Sequence, residues 1–325
     1  MSISEPAQRR RWSGRALAAA HPITAFLTLV FSIAYPVTIL QALVQHQLLP
    51  GKELIESLPV DPDELAGLTL SAFALLPSAV YVTWAAEGRD GLGRLFRRLT
   101  RWRFGIGWWV FTLSALPVMT LIFGLLLGDS LRRVDVIALL LSQLGQLLLN
   151  LFLVNLWEEV AWAGVMQTRL ERRHNLFVAA LLTAVPFGLI HWPLAFFQEF
   201  SAVSAVISLL AYILLGVFLR PLAALTMRGA RDSVLAFALV HSVFNRTNNP
   251  NGIAAGVLDG RGYEVGILIA VAALTAILAF LLRRRLGPRD RPRLDAGAGR
   301  DNHPPAAALG TDPVPASNHY ERNHS

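Results

Sequence analysis

The chain has 325 residues, of which 54% are hydrophobic and 16% are charged, and its mean hydropathy is +0.48. Soluble domains carry about 25% charged residues, so this composition excludes an ordinary soluble protein and favours an integral membrane protein. The absence of cysteine excludes disulfides and thiolate–metal sites. The net charge of +7 comes from arginines that flank apolar segments, which indicates a membrane surface rather than nucleic acid.

Hydropathy predicts an all-α fold, a multi-pass transmembrane helical bundle of about eight spans, because about 20 apolar residues are needed to cross the hydrocarbon core. The predicted spans are 23–44, 65–86, 106–127, 136–156 with an extension, 176–197, 202–219, 233–244 and 263–282. With its extension, 136–169 would form one helix of about 50 Å, longer than the hydrocarbon core is thick. The segment 233–244 is the shortest. We expect a basic segment at 1–20, a transmembrane domain at 21–285 and a disordered tail at 286–325, where Pro, Gly, Ala and Asp predominate.

Arginine-rich loops alternate with arginine-poor loops along the chain. The positive-inside rule then predicts that both termini are cytoplasmic and that the protein lies in the cell membrane. In this assignment Arg220, Arg228 and Arg231 belong to the loop that follows the span 202–219. The Arg-rich, Lys-poor composition also suggests a bacterial origin.

Two adjacent acids, Glu158 and Glu159, stand near the end of a long apolar run. A charged side chain at the centre of a bilayer costs about 2.5–3.5 kcal/mol, so intramembrane acids usually mark function. Gln143, Gln146 and Asn150 share a helical stripe with Glu158. For these three amides, hydrogen bonds between packed helices are the simpler interpretation.

Two later apolar segments contain histidine. Pro186 and Pro193 bracket His191, and prolines loosen helix packing around a site. His241 and Asn245 are four residues apart and share a helix face, from which both could point at a developing oxyanion. Each histidine alone is equally consistent with a structural hydrogen bond between helices.

Together these residues suit the hydrolysis of a peptide bond inside the membrane. Glu158 would be the general base for a water molecule that His191 orients. Alternatively, Glu158, His191 and His241 would bind a zinc ion that acidifies the water. A small transporter would use the same residue types as a proton relay or an ion site, although no internal symmetry between halves is visible.

With these residues in this order, the sequence resembles the CPBP intramembrane protease family. That family includes the eukaryotic CAAX prenyl endopeptidase and bacterial proteins of bacteriocin processing and immunity. The resemblance rests on three ordered motifs: Glu158-Glu159, Phe187-x-x-x-His191 and His241-x-x-x-Asn245. It implies that Glu158 and His191 activate the water with Glu159 in support, and that His241 and Asn245 stabilise the oxyanion. Zinc is implied only as an optional cofactor.

One position departs from the family pattern, because Ala163 stands where the first motif usually has arginine. Such an arginine would lie one helical turn from Glu159, so here Glu159 is expected to be protonated or paired elsewhere, with Arg246 as the candidate partner. The departure motivates an alternative, a catalytically degenerate binding or immunity protein. The expected partners are the lipid bilayer and a peptide or membrane-protein substrate, without nucleic acid.

Overall fold

The computed structural model of the chain describes residues 13–58, 62–198 and 201–286. These ranges are almost entirely helical, which confirms the predicted all-α bundle. Most of the predicted basic segment 1–20 and nearly all of the predicted tail 286–325 lie outside the described residues. The domain boundaries therefore stay predictions.

The secondary structure consists of α-helices with short π-helical and 3-10 insertions. The α-helices are Gly14–Ala20, Pro22–Gln45, Lys52–Glu56, Pro62–Thr69, Leu76–Leu99, Ile106–Val110, Leu116–Leu126, Val136–Asn150, Leu156–Glu159, Thr168–Leu170, Leu176–His191, Ala195–Gln198, Ala202–Gly229, Val234–Asn248, Ile253–Val257 and Gly262–Leu282. The π-helices are Leu70–Leu75, Phe111–Ala115, Leu151–Asn155 and Val160–Gln167, and the 3-10 turns are Trp192–Leu194 and Arg283–Arg285. Two short strands, Ser130–Leu131 and Leu258–Asp259, pair antiparallel with Ser130 opposite Asp259.

Within the described ranges, seven continuous helical segments are long and apolar enough to cross a membrane. They are Pro22–Gln45, Leu65–Leu99, Ile106–Leu126, Val136–Leu170, Leu176–Phe197, Ala202–Gly229 and Gly262–Leu282. The eighth predicted segment forms the helix Val234–Asn248, which has 15 residues and is buried along most of its length. It is too short to cross the hydrocarbon core alone and packs inside the bundle.

Four of these helices carry the polar residues of interest. We call Val136–Leu170 the glutamate span, Leu176–Phe197 the histidine span, Ala202–Gly229 the arginine span and Val234–Asn248 the buried helix. The glutamate span is 35 residues long, which corresponds to about 50 Å and exceeds the hydrocarbon core, as predicted. The arginine span continues ten residues beyond the predicted end at residue 219.

Side-chain caps explain where these four helices begin. Asp135 accepts hydrogen bonds from the second and third amides of the glutamate span. Asn175, Ser201 and Ser233 each accept a hydrogen bond from a first-turn amide of the helix that follows them. Such caps satisfy amide groups that have no partner within the helix.

Glycines let the histidine and arginine spans pack backbone against backbone. A Cβ atom on Gly188 would lie 2.6 Å from the backbone nitrogen of Ile213, and one on Gly216 would lie 2.8 Å from the carbonyl oxygen of Ala184. Close approach at small residues is a main source of helix association in membranes, where lipid removes the hydrophobic driving force. This contact sets the distance between the two spans near the polar residues.

Aromatic contacts join the glutamate span to its neighbours. The Trp162 side chain is fully buried and meets the rings of Phe26 and Phe187 edge-on, at centroid distances of 5.6 and 6.0 Å. The Tyr35 hydroxyl also donates a hydrogen bond of 2.8 Å to the carbonyl of Leu189 in the histidine span. The first span thereby supports both helices.

The glycine contact yields a stability prediction. Gly188→Ala is expected to lower the free energy of unfolding by about 1–3 kcal/mol, because the added methyl group overlaps the backbone of the arginine span. The matched control is Gly145→Ala in the glutamate span, where an added Cβ would meet nothing within 4 Å. We expect this control to be neutral or to stabilise the helix by up to about 1 kcal/mol. Unfolding in mixed micelles would measure both, and equal stabilities would contradict the close packing.

Candidate functional site

Glu158 of the glutamate span and His191 of the histidine span face each other. Glu158 is 4% exposed, and its Oε1 lies 3.4 Å from Nε2 of His191. The other ring nitrogen, Nδ1, lies 2.7 Å from the carbonyl oxygen of Phe187. Because a carbonyl can only accept, Nδ1 carries the hydrogen. In a neutral His191 ring, Nε2 is therefore an acceptor that faces a carboxylate.

Oε1 of Glu158 and Nε2 of His191 can bind the two hydrogens of one water molecule. Within the described residues, Oε1 of Glu158 is buried and has no hydrogen-bond donor, which is costly for a carboxylate. A water molecule can donate one hydrogen to Oε1 and the other to Nε2 of His191, and so satisfy both acceptors. The geometry is thus suited to holding and polarising a single water molecule.

Glu159 has a different environment, because it is bound by an arginine. The side chains of Glu159 and Arg220 are both fully buried. Nη1 of Arg220 lies 3.0 Å from Oε2 of Glu159, and Nη2 lies 2.6 Å from Oε1. This two-pronged geometry is the strongest that an arginine and a carboxylate can form. The guanidinium also lies over the rings of Phe187 and Phe237, at 4.4 and 5.2 Å from their centroids.

His241 of the buried helix joins the same ion pair. Its Nδ1 lies 2.7 Å from Oε1 of Glu159, and since a carboxylate accepts, Nδ1 is the donor. Glu159 thus receives hydrogen bonds from two helices, through Arg220 and His241. Nε2 of His241 is the ring nitrogen that Glu159 does not use.

Two sequence-based assignments are wrong here. Arg246 does not pair with Glu159, because its Nε and Nη2 lie 3.0 and 2.9 Å from Oε1 of Gln143. Arg220 is not a loop residue, because it lies inside the arginine span. The sequence has no arginine at position 163, but Arg220 supplies a guanidinium group to Glu159 from another helix. The signal in the sequence was that apolar residues continue beyond Arg220 as far as Leu225.

Asn245 lies in a cluster of polar side chains. Its Nδ2 is 3.3 Å from Oδ1 of Asn150 and 3.3 Å from Oδ1 of Asn155. Nδ2 of Asn155 lies 2.6 Å from Oδ1 of Asn150 and 3.0 Å from the hydroxyl of Ser242. These contacts connect the buried helix to the glutamate span one turn before Glu158. The hydrogen bonds between helices predicted for Gln143 and Asn150 are therefore present, whereas Gln146 is exposed.

The predicted zinc ligands are Glu158, His191 and His241. Among the described residues, no three histidine, aspartate or glutamate side chains form a group that could hold a metal ion. His241 instead binds Glu159, while His191 faces Glu158. Zinc binding therefore stays a prediction from the sequence.

Fold and site together define an all-α, multi-pass membrane protein with buried carboxylate, imidazole and guanidinium groups between its helices. Residues 140–247, about a third of the chain, match a family model described as type II CAAX prenyl endopeptidase Rce1-like. The match confirms the resemblance to the CPBP family that the motifs indicated, and it covers Glu158, His191, His241 and Asn245. No curated protein matches the chain.

The buried ion pair leads to a second prediction. Arg220→Met is expected to destabilise the protein by about 3–5 kcal/mol, because it leaves Glu159 buried without its main counter-charge. Adding Glu159→Gln should recover part of this loss, since the double variant contains no unpaired carboxylate at position 159. Chemical or thermal unfolding of the purified variants measures the effect.

Arg261→Met is the control for this comparison. Arg261 pairs with Glu264, but its side chain is 84% exposed, and solvent-exposed ion pairs contribute little to stability. A loss on Arg220→Met as small as that on Arg261→Met would show that Arg220 does not carry the charge balance of the site. A double variant less stable than the Arg220→Met single variant would show the same.

Proposed function

We propose that this protein is an intramembrane endopeptidase of the CPBP type, which hydrolyses a peptide bond with a water activated by Glu158 and His191. The family match supports an endopeptidase at the level of the family. The observation that carries the residue assignment is the approach of Glu158 Oε1 to His191 Nε2 at 3.4 Å. One is a carboxylate and the other an acceptor nitrogen, so the two groups can share one water molecule.

The oxyanion role that we propose for His241 requires a hydrogen on each of its ring nitrogens. Glu158 and Glu159 are adjacent buried carboxylates, and buried charges need compensation. Arg220 supplies one positive charge, and the doubly protonated ring that this role requires would supply a second, which together would balance the two carboxylates. In this state His241 donates Nδ1–H to Glu159 and keeps Nε2–H for a further acceptor.

The proposed reaction begins when Glu158 takes a proton from the water whose oxygen bonds to the scissile carbonyl carbon. Nε2 of His191 accepts a hydrogen bond from the remaining water hydrogen and orients the attack. The carbonyl oxygen becomes an oxyanion, which accepts the Nε2–H of His241. The carbon–nitrogen bond then breaks as Glu158 returns the proton to the leaving amine, and the products are an amine and a carboxylic acid.

Asn245 is the second donor that we propose for the oxyanion. Its amide hydrogens now reach Asn150 and Asn155 at 3.3 Å, which is at the long end for a hydrogen bond. One of these weak contacts can be exchanged for a shorter bond to a negatively charged oxygen. Asn245 and His241 lie four residues apart on the buried helix and so share a face.

The alternative of a degenerate binding or immunity protein was motivated by Ala163. Because Arg220 binds both carboxylate oxygens of Glu159, the acid pair keeps a counter-charge without an arginine at position 163, which supports an active protease over this alternative. We also propose, from the arginine distribution, that both termini are cytoplasmic and that the site opens to the cytoplasm. In this topology the stretch from Ser233 to Asp259, which contains the buried helix, is the eighth crossing. Ser233 bonds to Arg101 just before the span Ile106–Leu126, whereas Asp259 pairs with Ser130 beyond the far end of that span. The described chain itself is a multi-pass membrane protein with seven apolar spans.

Two classes of peptide are candidate substrates. The matched family is described as a CAAX prenyl endopeptidase, so a prenylated carboxyl-terminal peptide is the first candidate. Unmodified transmembrane peptides are the second. Both are offered to the full-length protein in liposomes, with cleavage read by mass spectrometry.

Glu158→Gln and His191→Ala are each expected to reduce cleavage by a factor of about 10²–10⁴, because general-base catalysis is lost. Glu264→Gln is the control, since it removes an exposed carboxylate of a surface pair and should leave the rate unchanged. Melting temperatures establish that the variants are folded. Undiminished cleavage by folded Glu158→Gln protein would refute the assignment.

Asn245→Ala is expected to lower kcat by about 10²–10³ with a smaller change in KM, because an oxyanion donor acts mainly in the transition state. Asn248→Ala provides the matched control, since Asn248 is the exposed last residue of the same helix. Steady-state kinetics on the cleaved peptide separates the two parameters. A change confined to KM would exclude Asn245 as an oxyanion donor.

A further inference from the structure

A pocket of about 400 Å³ opens where three spans end. It is lined by Trp102, Arg103, Gly105, Ile106, Trp109 and Arg231. The span Leu65–Leu99 ends just before this segment, Ile106–Leu126 begins at its wall, and the arginine span ends shortly before Arg231. The ends of membrane helices lie near the lipid headgroups, so the pocket sits at that level.

Hydrogen bonds join residues 101–103 to Arg231 and to Trp109, and so hold the lining of the pocket in place. Nη1 of Arg231 donates to the carbonyl oxygen of Arg103 at 3.3 Å, and the Arg101 guanidinium donates to the carbonyl oxygen of Arg231. On the other wall, Nε1 of Trp109 donates to the carbonyl oxygen of Trp102 at 3.1 Å. Three side-chain donors bound to backbone carbonyl groups therefore hold the lining of the pocket together.

The charge in the pocket is positive and lacks an internal counter-ion. The Arg103 guanidinium lies over the Trp102 ring, 4.9 Å from its centroid. Among the described residues, neither Arg103 nor Arg231 forms an ion pair with a carboxylate; nearby Asp232 pairs with Arg98 at 2.7 Å. Two cations thus stand at the mouth of the pocket with donors available to a ligand.

The remaining surface of the pocket is apolar. Ile106 is 80% exposed and Trp102 is 56% exposed, so both present apolar surface that lipid chains can cover. Tryptophan is typical of the membrane interface, where its ring and its polar nitrogen meet different surroundings. A fitting ligand therefore has an anionic head and an apolar body.

We propose that this pocket binds the headgroup of an anionic phospholipid, with Arg103 and Arg231 at its phosphate and its acyl chains along Ile106. Arginine binds phosphate through a planar fork of donors, and basic groups at the membrane surface attract anionic lipids. This site is independent of the proposed hydrolysis. The lipid would stabilise the segment that links the ends of three spans.

The test uses full-length protein in a neutral detergent and native mass spectrometry. Short-chain phosphatidylglycerol is titrated against phosphatidylcholine of the same chain length. Arg103→Gln and Arg231→Gln should each weaken phosphatidylglycerol binding about fivefold, and the double variant about thirtyfold. The control Arg283→Gln/Arg284→Gln alters arginines at the end of the last span, where Arg283 likewise lies over a ring, that of Phe280; it should change binding less than about twofold.

Several outcomes would overturn the proposal. One is unchanged phosphatidylglycerol binding by the folded double variant, or by both single variants if the double variant does not fold. Another is equal binding of the two lipids, or displacement of phosphatidylglycerol by inorganic phosphate at the same concentration, which would indicate a site for the free anion. A third is loss of a dimer in the double variant with lipid binding intact, which would make the pocket a contact between two copies.

Discussion

The buried ion pair between Glu159 and Arg220 is the constraint on which the centre of this protein depends. Neither residue is accessible to solvent, so either charge alone would be expensive inside a membrane protein. The pair joins the glutamate span to the arginine span. His241 adds the buried helix through its own bond to Glu159, and Phe187 adds the histidine span through its ring over the guanidinium. Four helices are thereby positioned by one ion pair.

This arrangement gives two adjacent acids different environments. Glu159 is saturated by donors, whereas Glu158 Oε1 has none among the described residues and instead faces His191. Pairs of titratable groups in contrasting surroundings often divide structural and chemical roles. In the reaction that we propose, Glu159 holds His241 in place, and Glu158 remains free to exchange a proton. Removal of the Arg220 charge would leave Glu159 buried without its main counter-charge and would therefore destabilise the protein.

The all-α class and most span positions followed from hydropathy, since apolar runs of about 20 residues have few other interpretations. The approach of Glu158 to His191 was predicted from the cost of intramembrane charge and from the motif order. Arg220 was misplaced, because hydropathy ends a span at a charge when its partner is unknown, and Glu159 is 61 residues away. The segment 233–244 was predicted as a span, and in the structure it belongs to the buried helix. Hydropathy does not distinguish the two, because burial by protein and burial by lipid select the same apolar residues.

The two π-helical segments, Leu151–Asn155 and Val160–Gln167, lie on either side of the turn that bears both glutamates. A π-turn accommodates one residue more than an α-turn, so each segment shifts the angular phase of everything beyond it. Loss of one residue from the first segment would turn the acids by about 100° around the helix axis. The directions in which Glu158 and Glu159 point therefore depend on the number of residues in the π-helical segment before them. A protein with one residue fewer in that segment would keep all three sequence motifs, yet its two acids would point in a different direction.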